Sequence, residues 1–306
     1  MVDLIGRQNN VGFTYFGDKL RTSRKLLHAS LGTAARNEWK PMIEEGCVDV
    51  MKLLADKPEY WKTHVKLHVA SLVVRFTYGG ELTEEYVDMA EEINLDTGMA
   101  LQPGWIVDSL PLLKYLPDWL PGMHFKRWAL AARLRFERCT QEPYDATRLS
   151  VLDGTAPPSF VARHLTSILN RSSSSEEEIL MHTAGSVYGA GTDTSWVMCN
   201  VWSMTHDPEI YDNVEVFNPD RHLSGTVKDP RQFTFGFGRR SCPGIHFANA
   251  ETFMFIACVL YLFKIGPAGE IPPLSYTPTF TSQPNTFECQ FELRDAALKE
   301  LLYASV

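Results

Sequence analysis

A chain of 306 residues with 44% hydrophobic content is long enough to bury a sizeable core, and no long stretch has the composition of a disordered segment. The formal net charge of -8 argues against a nucleic-acid surface, because basic residues occur in short groups such as Lys19, Arg21, Arg24 and Lys25 rather than in a stripe. Six cysteines (Cys47, Cys139, Cys199, Cys242, Cys258 and Cys289) stand far apart with no Cys-x-x-Cys pair, so neither a disulfide framework nor a zinc site is implied.

The first 150 residues read as helical, with Val48, Met51, Leu53 and Leu54, then Leu67, Val69, Leu72 and Val73, at intervals that line helix faces. From Gln102 to Met123 the rhythm breaks into Pro103-Gly104, Pro111, Pro117 and Pro121-Gly122 among Trp105, Leu112, Tyr115 and Trp119. This stretch is either an aromatic cover over a pocket or an ordinary packed connector. Serines 172–175 with Glu176, Glu177 and Glu178 form a helix start, since hydroxyls cap free amides and acids oppose the dipole. The predicted helix Ile179 to Ser195 weakens itself: Gly185, Gly189 and Gly191 each cost about 1 kcal/mol relative to alanine. Either close packing against a neighbouring helix or chemistry must justify that loss.

Phe235 to Gly244, read Phe-Gly-Phe-Gly-Arg-Arg-Ser-Cys-Pro-Gly, sets Cys242 in a loop where Gly236, Gly238 and Gly244 are expected at positive φ. A predicted helix from Ile245 to Phe263 follows, and its first turn offers unpaired N–H groups and a partial positive charge. Both features favour a thiolate, the form in which cysteine binds a metal. A single thiolate facing an otherwise open metal is the arrangement of haem-thiolate oxygenases. The competing reading is a buried cysteine acting as a small hydrophobe. The longest apolar run, Phe253 to Ile265, is shorter than the ~20 residues that span a bilayer.

Phe235, Gly238, Arg240, Cys242 and Gly244 match every fixed position of Phe-x-x-Gly-x-Arg-x-Cys-x-Gly, so the chain resembles the cytochrome P-450 family. The resemblance implies a mainly α fold with minor β structure, Cys242 as the axial ligand of haem b, Phe235 shielding the sulfur and Gly236 shaping the loop. Arg240 would pair with a propionate. Ala190-Gly191-Thr192-Asp193-Thr194 is similar to the family's oxygen groove. By that likeness Ala190 and Gly191 border the haem, while Asp193 and Thr194 supply the protons that O–O cleavage needs. Leu20-Arg21-Thr22-Ser23-Arg24 resembles the Trp-Arg-x-x-Arg helix, which gives Arg24 a propionate and puts Leu20 in place of an indole donor. Phe217 to His222 resembles the segment upstream of the cysteine loop. Phe280, Pro284 and Phe287 resemble a C-terminal hairpin that touches substrate.

The resemblance also shows gaps. Asn200 to Glu209 looks like a block that lies far downstream of the oxygen helix in the family, so a join is expected near Ser195-Trp196. No Glu-x-x-Arg occurs anywhere in the chain, which leaves Arg221 without its family partners and predicts that the helix carrying that motif and much of the sheet are missing. The start also falls inside the family fold, just ahead of the Arg24 helix. The expectation is one incomplete domain over 1–306, with residues 1–195 reaching through the oxygen helix and 196–306 carrying the cysteine loop. Its activity would be fungal-type monooxygenation of a hydrophobic small molecule with O2, with NADPH electrons arriving through a reductase that docks near Lys228, Arg231 and Arg239. Nucleic acid is not an expected partner. The family's seat is the cytosolic face of the endoplasmic reticulum, although this chain shows no anchor. The alternative is an inactive remnant, haem-binding or haem-free.

Overall fold

Residues with high helix propensity and apolar spacing near 3.6 dominate the chain, and helices follow from both. In the computed structural model, residues 1–80, 84–171, 173–188, 200–223, 225–270, 272–273, 275–277, 284–285 and 287–304 are described. The larger helices ahead of the proline-rich stretch are α1 (Asp18–Leu31), α2 (Arg36–Asp56), α3 (Trp61–Tyr78) and α4 (Glu84–Leu101). The short α5 (Ile106–Ser109) lies inside that stretch and is followed by α6 (His124–Leu152), α7 (Phe160–Leu169) and α8 (Ser174–Tyr188). Further on come α9 (Val201–Thr205), α10 (Arg231–Thr234), α11 (Ile245–Leu262) and α12 (Ala296–Ala304).

The sheet among the described residues is one antiparallel pair, β1 (Phe263–Pro267) with β2 (Cys289–Leu293), in the register Phe263 opposite Leu293 and Pro267 opposite Cys289. The expected hairpin is thus divided. Tyr276 bridges Pro284, and Asn285 N–H reaches Ser275 O at 2.8 Å, while the strand that follows pairs with β1 instead.

The main core lies where α8 passes between α1, α3, α6 and α7, with Val161, Leu165, Leu180 and Ala184 fully buried. Gly185 permits the approach of α6, since a Cβ there would stand 2.8 Å from Thr140 Cγ2. Close helix packing therefore explains one of the three costly glycines; Gly189 and Gly191 lie outside the described residues. Leu53 and Val69, expected on core faces, are 44% and 45% exposed. Each stands next to a core position, and one residue turns a helix by about 100°. In the proline-rich stretch Trp105 stacks on Trp128 at 5.3 Å, while Leu112, Tyr115 and Trp119 are mostly exposed.

A second core forms where the C-terminal half of α11 meets α2, built on Val50, Met51, Leu54, Val259, Leu262 and Phe263. The opposite side of α11 is bare. Phe253, Ile256, Leu260 and Tyr261, spaced i, i+3, i+7 and i+8, are 50–73% exposed. Trp202, Val216, Phe217 and Leu223 are also largely exposed. Among the described helices α11 is long and apolar enough to cross a membrane by length and composition.

One titration reaches stability. Burial, aided by the Arg163 charge, pulls His164 down to about 4, and its ring nitrogen meets Ser30 Oγ at 2.9 Å. The unfolded imidazole takes its proton near ~6.5. Below that pH the unfolded state therefore binds more protons than the folded state, so stability falls as the pH drops from about 6.5 towards 4 and is flat with respect to this group above 6.5. Thermal unfolding across that window should show a shallower acid decline for His164→Gln than for the parent chain. Equal slopes would refute the assignment.

Candidate active site

The loop 235–244 folds around glycine. Gly236 and Gly238 take φ of +73° and +55°, values that a side chain disfavours. These kinks let Cys242 N–H donate to Phe235 O at 2.7 Å and Ser241 N–H to Gly238 O at 3.2 Å, closing the loop on itself just ahead of α11. Gly244 departs from expectation. Its φ of -87° is open to any residue, and a Cβ would meet Cys242 Sγ only at 3.7 Å.

Two arginines tie the loop to its surroundings. Arg24, on α1, donates to Ser241 O at 2.9 Å, and Arg240 donates to Thr14 O at 2.8 Å and Val11 O at 3.4 Å. Val11 N–H in turn donates to Ser186 Oγ on α8 at 2.8 Å. Residues 11–14 therefore bridge the cysteine loop to the end of α8. Sequence reasoning gave this segment no role, since its short run of turn-forming residues carries no chemical signature. Cys242 is the one exposed cysteine of the five described; Cys47 and Cys139 are buried, with their thiols pushed up to about 12 by desolvation. The small-hydrophobe reading fails for Cys242 and holds for those two.

The model of the cytochrome P450 family matches residues 195–291, which begins at the expected join and includes the whole cysteine loop. Relatives extend the likeness to the rest. Cytochrome P450 monooxygenase ppsD of Aspergillus oryzae is 26% identical over 404 positions, covering 99% of this chain and 76% of its own length. The likeness to the cytochrome P450 family thus runs over nearly the whole chain. Cytochrome P450 monooxygenase claR of Ampulloclitocybe clavipes is 26% identical, covering 98% of this chain and 74% of its own, and tryptamine 4-monooxygenase of Psilocybe cyanescens is 24% identical, covering 94% and 77%. A zebra fish cytochrome P450 solved with abiraterone has the same fold, with a TM-score of 0.65 at 14% identity over 96% of this chain and 87% of that one. By homology the chain is a P450 monooxygenase. An alignment of 404 positions against 306 residues leaves at least 98 positions of the ppsD alignment with no residue in this chain.

The family implies a haem-thiolate cofactor and a reductase partner. The donor set fits that cofactor: one accessible sulfur, with Phe235 half-buried in the same loop, Arg24 on the loop's backbone and Arg240 within it. Ala190, Gly191, Asp193 and Thr194 lie outside the described residues, as does Phe280. Leu20 is buried. Phe287 sits away from the loop: it packs on Trp61 at 5.2 Å, in the region of the core at the far end of α11, roughly 25 Å along that helix. Arg221 has found carbonyls rather than an acid, donating to Asn213 O and Asn218 O at 3.1 Å and to Val216 O at 2.6 Å. Of the expected docking charges, Arg231 is neutralised by Asp229, whereas Lys228 and Arg239 are exposed.

Proposed function

We propose that this P450 oxidises a hydrophobic small molecule with O2, using Cys242 as its haem ligand and electrons from an NADPH-dependent reductase at the cytosolic face of the endoplasmic reticulum. The observation that carries the reading is the exposed sulfur in a loop held by Arg24 and Arg240. Haem, when bound, supplies the oxygen chemistry: one atom enters a C–H bond and the other leaves as water, at the expense of two electrons and two protons. Cys242 would hold the haem through its thiolate and lend it electron density, and the loop's internal hydrogen bonds fix the backbone that carries the sulfur. Arg24 and Arg240 would pair with the propionates of the haem. Thr194 would pass a proton inward through its hydroxyl, and the Asp193 carboxyl group, protonated from solvent water, would replace that proton.

Turnover of a panel of hydrophobic compounds with haem, a reductase and NADPH tests the reading. Thr194→Ala should lower product formation by about 10²- to 10⁴-fold with haem content unchanged. Equal product from both chains would remove Thr194 from the proton path. A second reading, a haem-binding remnant without turnover, is favoured by the 98 or more unmatched positions and by the bare side of α11. Full haem content with no product from any compound would favour it.

A further inference from the structure

The helix α11 begins as a continuation of the cysteine loop: Ala248 N–H donates to Gly244 O at 2.9 Å, so a slide or rotation of α11 is passed on to Cys242. Apolar packing sets such a position poorly, because it has no direction. The side of α11 away from α2 gives no help, since Phe253, Ile256, Leu260 and Tyr261 are exposed there.

A polar contact supplies the direction. Six residues into α11, about 9 Å along its axis, Glu251 turns its carboxylate inward, with 16% of its side chain exposed. His68 of α3 reaches it past α2: its side chain is 3% exposed, and its Nε2 stands 3.5 Å from Glu251 Oε1. The imidazole is seated on two sides. It stacks on Phe255 of α11 at 5.8 Å, and Gly46 of α2 makes room for it, since a Cβ there would stand 3.3 Å from His68 Cε1. Nε2 has no closer partner among the described residues, so the carboxylate is the group that answers it. The second carboxylate oxygen accepts from Thr252 Oγ1 at 3.3 Å. Cys47 and Cys258 border the same junction as neutral thiols: burial, with Cys258 and Glu251 nearby, pushes Cys47 up to about 12, and burial raises Cys258 too. A buried pair of this kind adds little stability, because desolvation offsets its attraction; its best-attested use is to fix register.

We propose that His68 is a positioning residue for the haem ligand: by holding Glu251 it fixes α11 about its axis and so aims the Cys242 sulfur. The proposal rests on Cys242 as the haem ligand.

The test reads the carbon monoxide difference spectrum of the full chain reconstituted with haem, beside thermal unfolding of the haem-free chain. His68→Phe keeps a flat ring between Phe255 and Gly46 but loses the donor, and Glu251→Leu loses the acceptor. The double variant puts an apolar pair in place of the polar one, a change that is typically neutral or stabilising. It should unfold at or above the parent's temperature, yet its ratio of thiolate to displaced-sulfur band should fall by about 10- to 100-fold, the usual effect of removing an outer partner of a metal site. Each single variant should show the same fall, and the double no more than either, because the two groups act as one. Glu251→Gln keeps an acceptor oxygen and should lose less than Glu251→Leu. His64→Gln, one turn earlier on α3 and bonded to Lys57 O instead, should match the parent. An undiminished ratio in the double variant, single losses that add, or a fall seen only with a lowered unfolding temperature would each overturn the proposal and leave the ligand reading intact. A parent without the thiolate band would overturn both.

Discussion

Cys242→Ala should yield a folded chain that no longer retains haem. The side chain is exposed, so its loss removes little packing, and surface substitutions of this kind move stability by about 0.5 kcal/mol or less. Changing outer partners of a metal site typically costs about 10- to 100-fold in affinity, and removing the axial ligand itself costs more. The pyridine haemochrome assay should report near-stoichiometric haem in the parent after reconstitution and less than a tenth of that in the variant. The carbon monoxide difference spectrum should show the red-shifted band of a thiolate ligand in the parent alone. Cys258→Ala, at a half-buried cysteine of the second core, should match the parent. Retained haem with an unchanged carbon monoxide band in Cys242→Ala would take the ligand role away from this residue.

The second large effect concerns the bare side of α11. Met254, Phe255, Cys258, Val259 and Leu262 face α2 and its neighbours, whereas Phe253, Ile256, Leu260 and Tyr261 face outward. A helix apolar on both sides is one that two layers are meant to cover. Each outward side chain would gain about 1.5–3 kcal/mol on full burial, so the chain should self-associate as its concentration rises. Phe253→Glu with Leu260→Lys should restore a monodisperse chain in light scattering and shift the unfolding free energy by about 0.5 kcal/mol. A parent chain already monodisperse over the same concentrations would defeat this prediction.

The ligand loop was legible in the sequence because its chemistry is local. Gly236 and Gly238 are required by the backbone of one short turn, and the helix start at Ile245 follows directly. Gly244 misled because glycine also stands where no positive φ is needed. Helices were legible from apolar spacing, but which apolar residue faces the core is decided by neighbours far along the chain, and so Leu53 and Val69 went astray. Tertiary pairing was the least visible. Nothing near Cys289 indicates β1 as its partner, and nothing in residues 11–14 suggests that Arg240 binds there. The Arg221 account foresaw the loss of an acid but not the local turn, whose carbonyls satisfy a guanidinium without any countercharge.

The contacts that hold the ligand loop join residues 217 to 229 positions apart. On a ribosome adding about 5–20 residues per second, Arg24 emerges roughly 10–45 s before Ser241 exists for it to grip. Cofactor loading must therefore wait until the loop 235–244 has been made. Until then α1 sits with one arginine fewer engaged, a window in which chaperones rather than porphyrin are its natural company.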